Sequence, residues 1–435
     1  MESYEVVQWL VELIALDTRN PPGNEAVAVE WLTTLFDAEG IPWTRFDHGE
    51  GRASVMARLR GEGTEGPLCL VSHLDTVGVE ADRWSAPPLE GLVRDGFVWG
   101  RGALDMKGML AVELAAFVRL SREGVALRRD VIFLAVADEE VASLGMRDIV
   151  EHHWGEVGCE VALNEGGLGL VDALFDGQTV HAVSVAERGV LWMALVATAE
   201  AGHGSVDLEG EAIDLLRQGI DRVERLRFAP KIDPSLRALF AAAGRDRGGF
   251  ARLVLTDGAL TDVLVRPRLM RDAALRSALT DTVHLTGLQA GSQPNVVPGT
   301  AVATFDARLL PGTDPADLLA RLEAATAPIP GLAWRVIQSV PARGNAWDTE
   351  TFAAIADAAV AGRDNVVVGP ALSVGFTDSL FLRAMGVTAY GWVPFEVDRE
   401  LAATMHGADE RVPVSEIVLG AERLYAAVVG IAAVR

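Results

Sequence analysis

Two runs, Leu68-Cys69-Leu70-Val71-Ser72-His73-Leu74-Asp75 and Val131-Ile132-Phe133-Leu134-Ala135-Val136-Ala137-Asp138-Glu139-Glu140, decide the fold. Each begins as a short, continuously apolar segment, the pattern of a strand buried on both faces. Each then breaks into ionisable side chains. Between them, Met109 to Leu120 repeats alanine and larger apolar residues at helical spacing. Strand, helix and strand in this order predict an α/β unit with helices covering a sheet. Ligands of open α/β sheets gather where strands end. His73, Asp75 and Asp138 to Glu140 are therefore the first candidates for chemistry, and a strand over Glu160 to Leu163 adds Asn164 and Glu165.

Working outward, apolar residues at Val6, Val7, Leu10, Leu13 and Ile14 predict a first helix. A second fits Glu25 to Glu39, with Asn24 placed to cap it and Gly40 to stop it. The character changes near residue 186. Strand Val190–Thr198, helix Leu208–Leu226, strands Val283–Thr286 and Thr300–Leu310, helix Pro315–Ala327 and strand Leu332–Val340 follow in turn. That β-α-β-β-α-β order is a split ferredoxin-like one, interrupted by a largely helical stretch over about 227 to 282. After residue 342 the α/β character resumes, with helices at 349–361, 379–385 and 414–430 and strands at 366–369 and 387–390. The expected division is a main domain of 1–185 plus 343–435, with 186–342 inserted.

At roughly 150 residues per domain, 435 residues hold two or three domains. The chain has 38 basic and 61 acidic residues, a net charge of -23. A field of that sign disfavours nucleic acid and anionic membranes as partners. No run approaches the roughly 18 apolar residues of a membrane span, and the opening segment is acidic where a secretory signal is basic. Two isolated cysteines, Cys69 and Cys159, suggest neither a disulfide scaffold nor a metal knuckle. A soluble protein of a reducing compartment, by default the cytoplasm, is the expectation.

His73 and Asp75 face the same side if the chain stays extended, and a carboxylate can hold the second nitrogen of a ligating imidazole. Two satisfied structural groups would look the same. Gly100-Arg101-Gly102-Ala103-Leu104-Asp105-Met106-Lys107-Gly108 runs tightly into a helix and leaves Asp105 as either a cap or a ligand. It lacks the GxxxxGK[ST] spacing of a phosphate loop. The adjacent carboxylates Asp138, Glu139 and Glu140 repel one another unless solvent or a cation intervenes. Glu165 follows a strand, and His406 sits in a polar turn before the last helix. Two histidines and several carboxylates without a thiolate suit two Zn2+ sharing a carboxylate, and Co2+ or Mn2+ accept the same donors.

Six motifs occur in order: SHLDTV at 72–77, GRGALDMKG at 100–108, ADEE at 137–140, LNEGG at 163–167, AGHGS at 201–205 and TMHG at 404–407. Through them the chain resembles the M20 family of metallo-aminoacylases and carboxypeptidases almost end to end. The resemblance implies a zinc-exopeptidase-like sheet covered by helices, with an inserted α+β ferredoxin-like lid and dimerisation domain. It implies Asp105 as the bridging ligand, His73 and Glu165 on one metal, and Glu140 and His406 on the other. Glu139 takes the part of general base, with Asp75 orienting His73. His203 resembles the histidine that stabilises the oxyanion, which in dimeric relatives reaches the neighbouring subunit's site, and Asn295 assists there. Arg308 resembles the arginine that grips a substrate carboxylate through its planar fork. A salt bridge from Arg308 to Asp306 is not expected, since alternate strand residues need not pair.

Gly375 and Thr377 correspond to the family's substrate loop, which often reads GGTD. Here it is Gly375-Phe376-Thr377-Asp378, with Phe381 beyond it and Arg383 outside the usual basic position. That departure speaks against a strongly charged acyl group. The implied activity is hydrolysis of an N-acyl amino acid or of the terminal bond of a short peptide, with a homodimer through the insert. A deacetylase or desuccinylase of an amino-acid biosynthetic intermediate is one alternative, and a non-catalytic metal- or ligand-binding member is the other. His48, His152 and His153 read as surface residues, and His181 and His284 as structural ones.

Overall fold

The computed structural model describes residues 3–434. Both decisive runs are strands, Leu68–His73 and Val131–Val136, with every residue buried. They lie side by side and parallel in a ten-stranded mixed sheet. Val161–Asn164 pairs parallel with Leu68–His73 on its other side, and Thr388–Gly391 continues the parallel run. Four strands therefore end along one edge, and that edge holds the site.

Helices cover the sheet. Lys107–Glu123 is buried from Lys107 to Val118, because Val414–Ala432 and Ser3–Ala15 pack around it. Phe36, Phe117 and Phe133 meet with ring centroids 5.7–6.2 Å apart, a favourable range for edge-on aromatic contact. Helix Ala26–Glu39 ends at Gly40 in the left-handed conformation, φ 65°, as its sequence predicts. Its start differs from expectation. Glu25 stands at the cap with helical φ and ψ, and no side chain caps the helix. Asn24 is one residue too early and turns to the Asp17 carbonyl at 3.5 Å.

A second sheet joins Thr282–Ala290, Thr300–Leu309, Gly189–Thr198 and Leu332–Val340, all antiparallel. Ala301, Ala303, Phe305, Ala307 and Leu309 face helices Ala212–Glu224 and Pro315–Thr326. The alternate residues, Asp306 and Arg308 among them, are half-buried on the open face. The strand and helix order is the split one read from the sequence. Helix Pro234–Arg247, from the predicted helical stretch, packs against Thr179–Glu187 and Val366–Ser373 of the large sheet. A Cβ at Gly369 would lie 2.6 Å from Leu239 on that helix, so only glycine admits so close an approach.

The cysteine reading is corrected. Cys69 and Cys159 form a disulfide with their Cα atoms 5.9 Å apart. The reason is topological, since Cys159 lies two residues before a strand that pairs with the one carrying Cys69. Sequence distance hid what the parallel ladder brings together. The bridge closes a separation of 90 residues, so replacing both cysteines by alanine lowers the unfolding free energy by about 2–4 kcal/mol. Denaturant unfolding against the parent checks this, with metal content and turnover unchanged. No helix among the described residues is long and apolar enough to cross a membrane.

Candidate active site

The strand ends bring the ionisable residues together. His73 closes its strand with a buried ring. Its Nδ1 lies 3.0 Å from the Asp75 carbonyl oxygen, and its Nε2 lies 3.1 Å from Asp105 Oδ1 and 3.6 Å from Glu165 Oε1. His406 Nε2 lies 3.0 Å from Asp105 Oδ2 and 3.3 Å from Glu140 Oε2. The two oxygens of Asp105 thus face two different imidazoles, as a carboxylate shared between two ions must. Donor atoms of His73, Glu139 and Glu165 lie within 4.8 Å of one another, and so do those of His73, Asp105 and Glu140. Every donor is nitrogen or carboxylate oxygen, a set that fits borderline and hard divalent cations.

The electrostatics agree with a cation site. Burial first, then the charge of Glu165, push the Glu139 carboxyl well above its usual range. Burial and then Asp105 do the same to Glu165. Burial disfavours a charge on His73, yet hydrogen bonds to Asp105 and Asp75 hold its imidazole well above the usual value. Hydrogen bonds to Asp105 and then Glu140 raise His406 to about 10. A cation among these carboxylates would relieve a repulsion that burial otherwise intensifies.

Asp75 does more than face His73. Its carboxylate accepts from the backbone N–H of Glu139 and of Glu140, both at 3.1 Å, and from Asn20 Nδ2 at 2.8 Å. Asn20 also donates to Asp138 at 2.7 Å, and Arg52 pairs with Asp138. Asp138 is therefore a buried brace and not a solvated carboxylate. Asp138 and His406 both hold left-handed backbone, φ 69° and 59°, a conformation uncommon outside glycine that clusters at functional sites. Asn20 escaped the sequence reading because its partners lie 55 and 118 residues away. Its only local signal is a polar residue opening the Pro21-Pro22-Gly23 turn.

A cavity of about 620 Å3 opens over these groups. Trp192, Arg308 and Gln338 enter it from the open face of the four-stranded sheet, and Val374, Gly375, Phe376 and Thr377 from the loop opposite. Leu104, Val141, Leu168, Val393 and Met405 supply apolar wall. Among the described residues Arg308 is the only arginine or lysine lining it. The expectation that Arg308 stands apart from Asp306 is overturned, since Arg308 Nε lies 2.9 Å from Asp306 Oδ1 and Nη2 3.1 Å from Oδ2. Both side chains project from the same face of one strand, two residues apart, and both are half-buried. Arg383 is held elsewhere, 3.2 Å from buried Glu187 and donating to the Ala389 carbonyl at 2.7 Å. Thr377 donates to the same Glu187. Phe376 and Phe381 meet edge to face, 5.7 Å apart.

His203 and Asn295 come together, but not here. His203 lies on Gly202–His203, paired with Val296–Val297, and Gly204 N–H donates to the Asn295 carbonyl at 2.9 Å. Both are exposed and line no part of this cavity. His152 is exposed as expected, but the ring of His48 is buried, 2.8 Å from Ser54 Oγ and 3.1 Å from Asp148 Oδ2. Asp148 ends helix Leu144–Asp148, which follows Val131–Val136 and touches the edge strand Trp43–Gly49 that carries His48. His181 is structural, its Nε2 2.9 Å from Glu396 Oε1. His284 is exposed on the second sheet.

A cluster of carboxylate and histidine donors that could hold divalent cations, set at the ends of parallel strands, fits a metallohydrolase. Residues 69–429 match the family described as Peptidase family M20/M25/M40. The chain belongs to this family and is a metal-dependent hydrolase of peptide or N-acyl amide bonds. It is 25% identical to "Probable carboxypeptidase S-like 2" of Dictyostelium discoideum over 80% of this chain and 68% of that one. It is 26% identical to "Aminoacylase-1A" of Rattus norvegicus over 97% and 95%. Among solved structures, the M20 family metallo-carboxypeptidase Sso-CP2 from Sulfolobus solfataricus shares the fold with TM-score 0.71 at 18% identity, covering 98% and 99% of the chains. A dinuclear metal-binding M20 peptidase, YXEP of Bacillus subtilis, does so with TM-score 0.61 at 15% identity, covering 99% and 98%.

Proposed function

We propose that the protein is a two-zinc hydrolase of N-acyl amino acids with an uncharged, apolar acyl group, or of short peptides cut at the C-terminal bond. The observation that carries this reading is Asp105, whose two oxygens each face a histidine. His73 and Glu165 would hold one ion, Glu140 and His406 the other, with Asp105 between. Bound ions supply Lewis-acid activation of water and of the scissile carbonyl. Glu139, buried against His73 and Glu165, would accept the water proton and return it to the leaving nitrogen. Asp75 keeps Glu139 and Glu140 in register through their backbone N–H groups.

Arg308 receives the substrate carboxylate. Asp306 occupies Nε and one side of Nη2, so the terminal Nη1–Nη2 edge is the one offered. A second carboxylate, as on a succinyl group, meets no second arginine or lysine among the described residues of the cavity wall, and Arg383 is committed to Glu187. Trp192, Val374 and Phe376 instead favour apolar substituents.

The domain division at 186 and 342 is part of this reading, with the second sheet as a lid. So is a homodimer through the lid, which would give His203 and Asn295 a site to act on in the neighbouring subunit. A cytoplasmic location is also proposed; a disulfide is unusual in a reducing compartment, and burial of Cys69 and Cys159 is what would shield theirs from soluble thiols there. The test is a panel of N-acetyl, N-succinyl and long-chain N-acyl amino acids beside dipeptides, run before and after chelation and with Zn2+ restored. Apolar N-acyl substrates are expected to lead the panel, with chelation abolishing and Zn2+ restoring turnover. Turnover that survives complete metal removal, or a preference for N-succinyl substrates, would overturn the reading.

A further inference from the structure

Two buried charges outside the ligand set tie the loops of the centre together. Glu410 is fully buried four residues beyond His406, and Arg101 is 2% exposed four residues before Asp105. Arg101 Nη1 lies 2.6 Å from Glu410 Oε2. The carboxylate also accepts three backbone N–H groups of the Asp105 loop: Gly102 at 3.1 Å, Leu104 at 2.8 Å and Asp105 itself at 3.1 Å. From its other nitrogen, Arg101 Nη2 donates to the Gly407 carbonyl at 2.8 Å, next to His406. One ion pair thus spans the loop that presents Asp105 and the turn that presents His406.

We propose that Arg101 and Glu410 are positioning residues that fix Asp105 against His406, and so set the affinity of one ion of the pair. This rests on the two-metal reading above. The ion most affected is the one between Asp105, Glu140 and His406, because two of its three ligands hang on the loops that Arg101 and Glu410 fasten, whereas the other ion shares only Asp105. His73 and Glu165 sit at the ends of the Leu68–His73 and Val161–Asn164 strands, whose ladder hydrogen bonds hold them without Glu410. Charge and shape both matter here. Gln at position 410 would turn an amide N–H2 towards either Arg101 and the Gly102 N–H or the N–H groups of Leu104 and Asp105, setting donor against donor. Lys at position 101 would keep the charge and lose the planar fork that reaches Glu410 and Gly407 together.

Equilibrium dialysis of the full chain against Zn2+ buffers, with metal content read per chain, tests the proposal, and Co2+ absorption supplies a second readout. The parent is expected to bind two equivalents. In Glu410→Gln one equivalent weakens by about 10- to 100-fold, the usual range for groups that orient ligands, while the other, which draws only Asp105 from the fastened loops, weakens less. Arg101→Lys moves the same equivalent in the same direction and stands in for Glu410→Gln if that variant does not fold. Both equivalents at parental affinity in the folded variants would overturn the proposal, as would equal weakening of the two. A parent that binds fewer than two ions would instead overturn the two-metal reading, and the proposal with it.

Discussion

Glu139→Gln lowers kcat by roughly 10^2- to 10^4-fold, the contribution expected of a positioned acid–base group, and leaves two metal ions bound. The substitution keeps size, but it removes the charge and the ability to carry a proton and turns one acceptor oxygen into an N–H2 donor. The loop does not depend on the side chain, since it is the Glu139 backbone N–H that donates to Asp75 at 3.1 Å. Steady-state kinetics with metal analysis on the same sample decide the matter. The outcome is informative because Glu139 also lies within 4.8 Å of donor atoms on His73 and Glu165. A variant that loses an ion along with activity would make Glu139 a ligand. One that keeps both ions and full turnover would remove it from the reaction.

Arg308→Ala costs about 2–3 kcal/mol in kcat/KM for substrates with a free carboxylate, roughly 30- to 150-fold, the worth of a charged hydrogen bond. Two effects add. The cation is lost, and Asp306, now without its partner at 2.9 Å, is left as a bare carboxylate that repels the substrate's own. Carboxamide analogues, which carry no charge to grip or repel, should change far less. Comparing kcat/KM for each acid and its amide in parent and variant measures the difference. An equal loss on both would assign Arg308 to the shape of the lid and not to recognition of charge.

The strands of the main sheet, the left-handed glycine after Glu39 and the ligand-type residues were legible because each rests on local pattern. Leu68–His73 is apolar throughout and then abruptly polar, and the structure puts that break at the sheet edge. What stayed hidden depends on contacts between distant segments. Asn20 meets Asp75 and Asp138, Cys69 meets Cys159 and Arg101 meets Glu410 only after the sheet has set its strand order. The His48 ring meets Asp148 on a distant helix, which no window around residue 48 contains. The Asp306–Arg308 pair failed for another reason. Strand periodicity placed both on one face, and partial burial there makes pairing better than leaving either alone.

Asn20 and Glu410 give the centre a history as well as a shape. The proposed ligands and their braces are drawn from segments as far apart as Asn20 and Glu410, and a ribosome delivers the earlier segment first. Until Glu410 and His406 emerge, the Asp105 loop lacks its fastening, and in the proposed centre one ion would lack a ligand. The nascent polypeptide therefore carries no working hydrolase, however much of the large sheet has already formed. In the proposed centre, activity waits until the segment from Asn20 to Glu410 has been made.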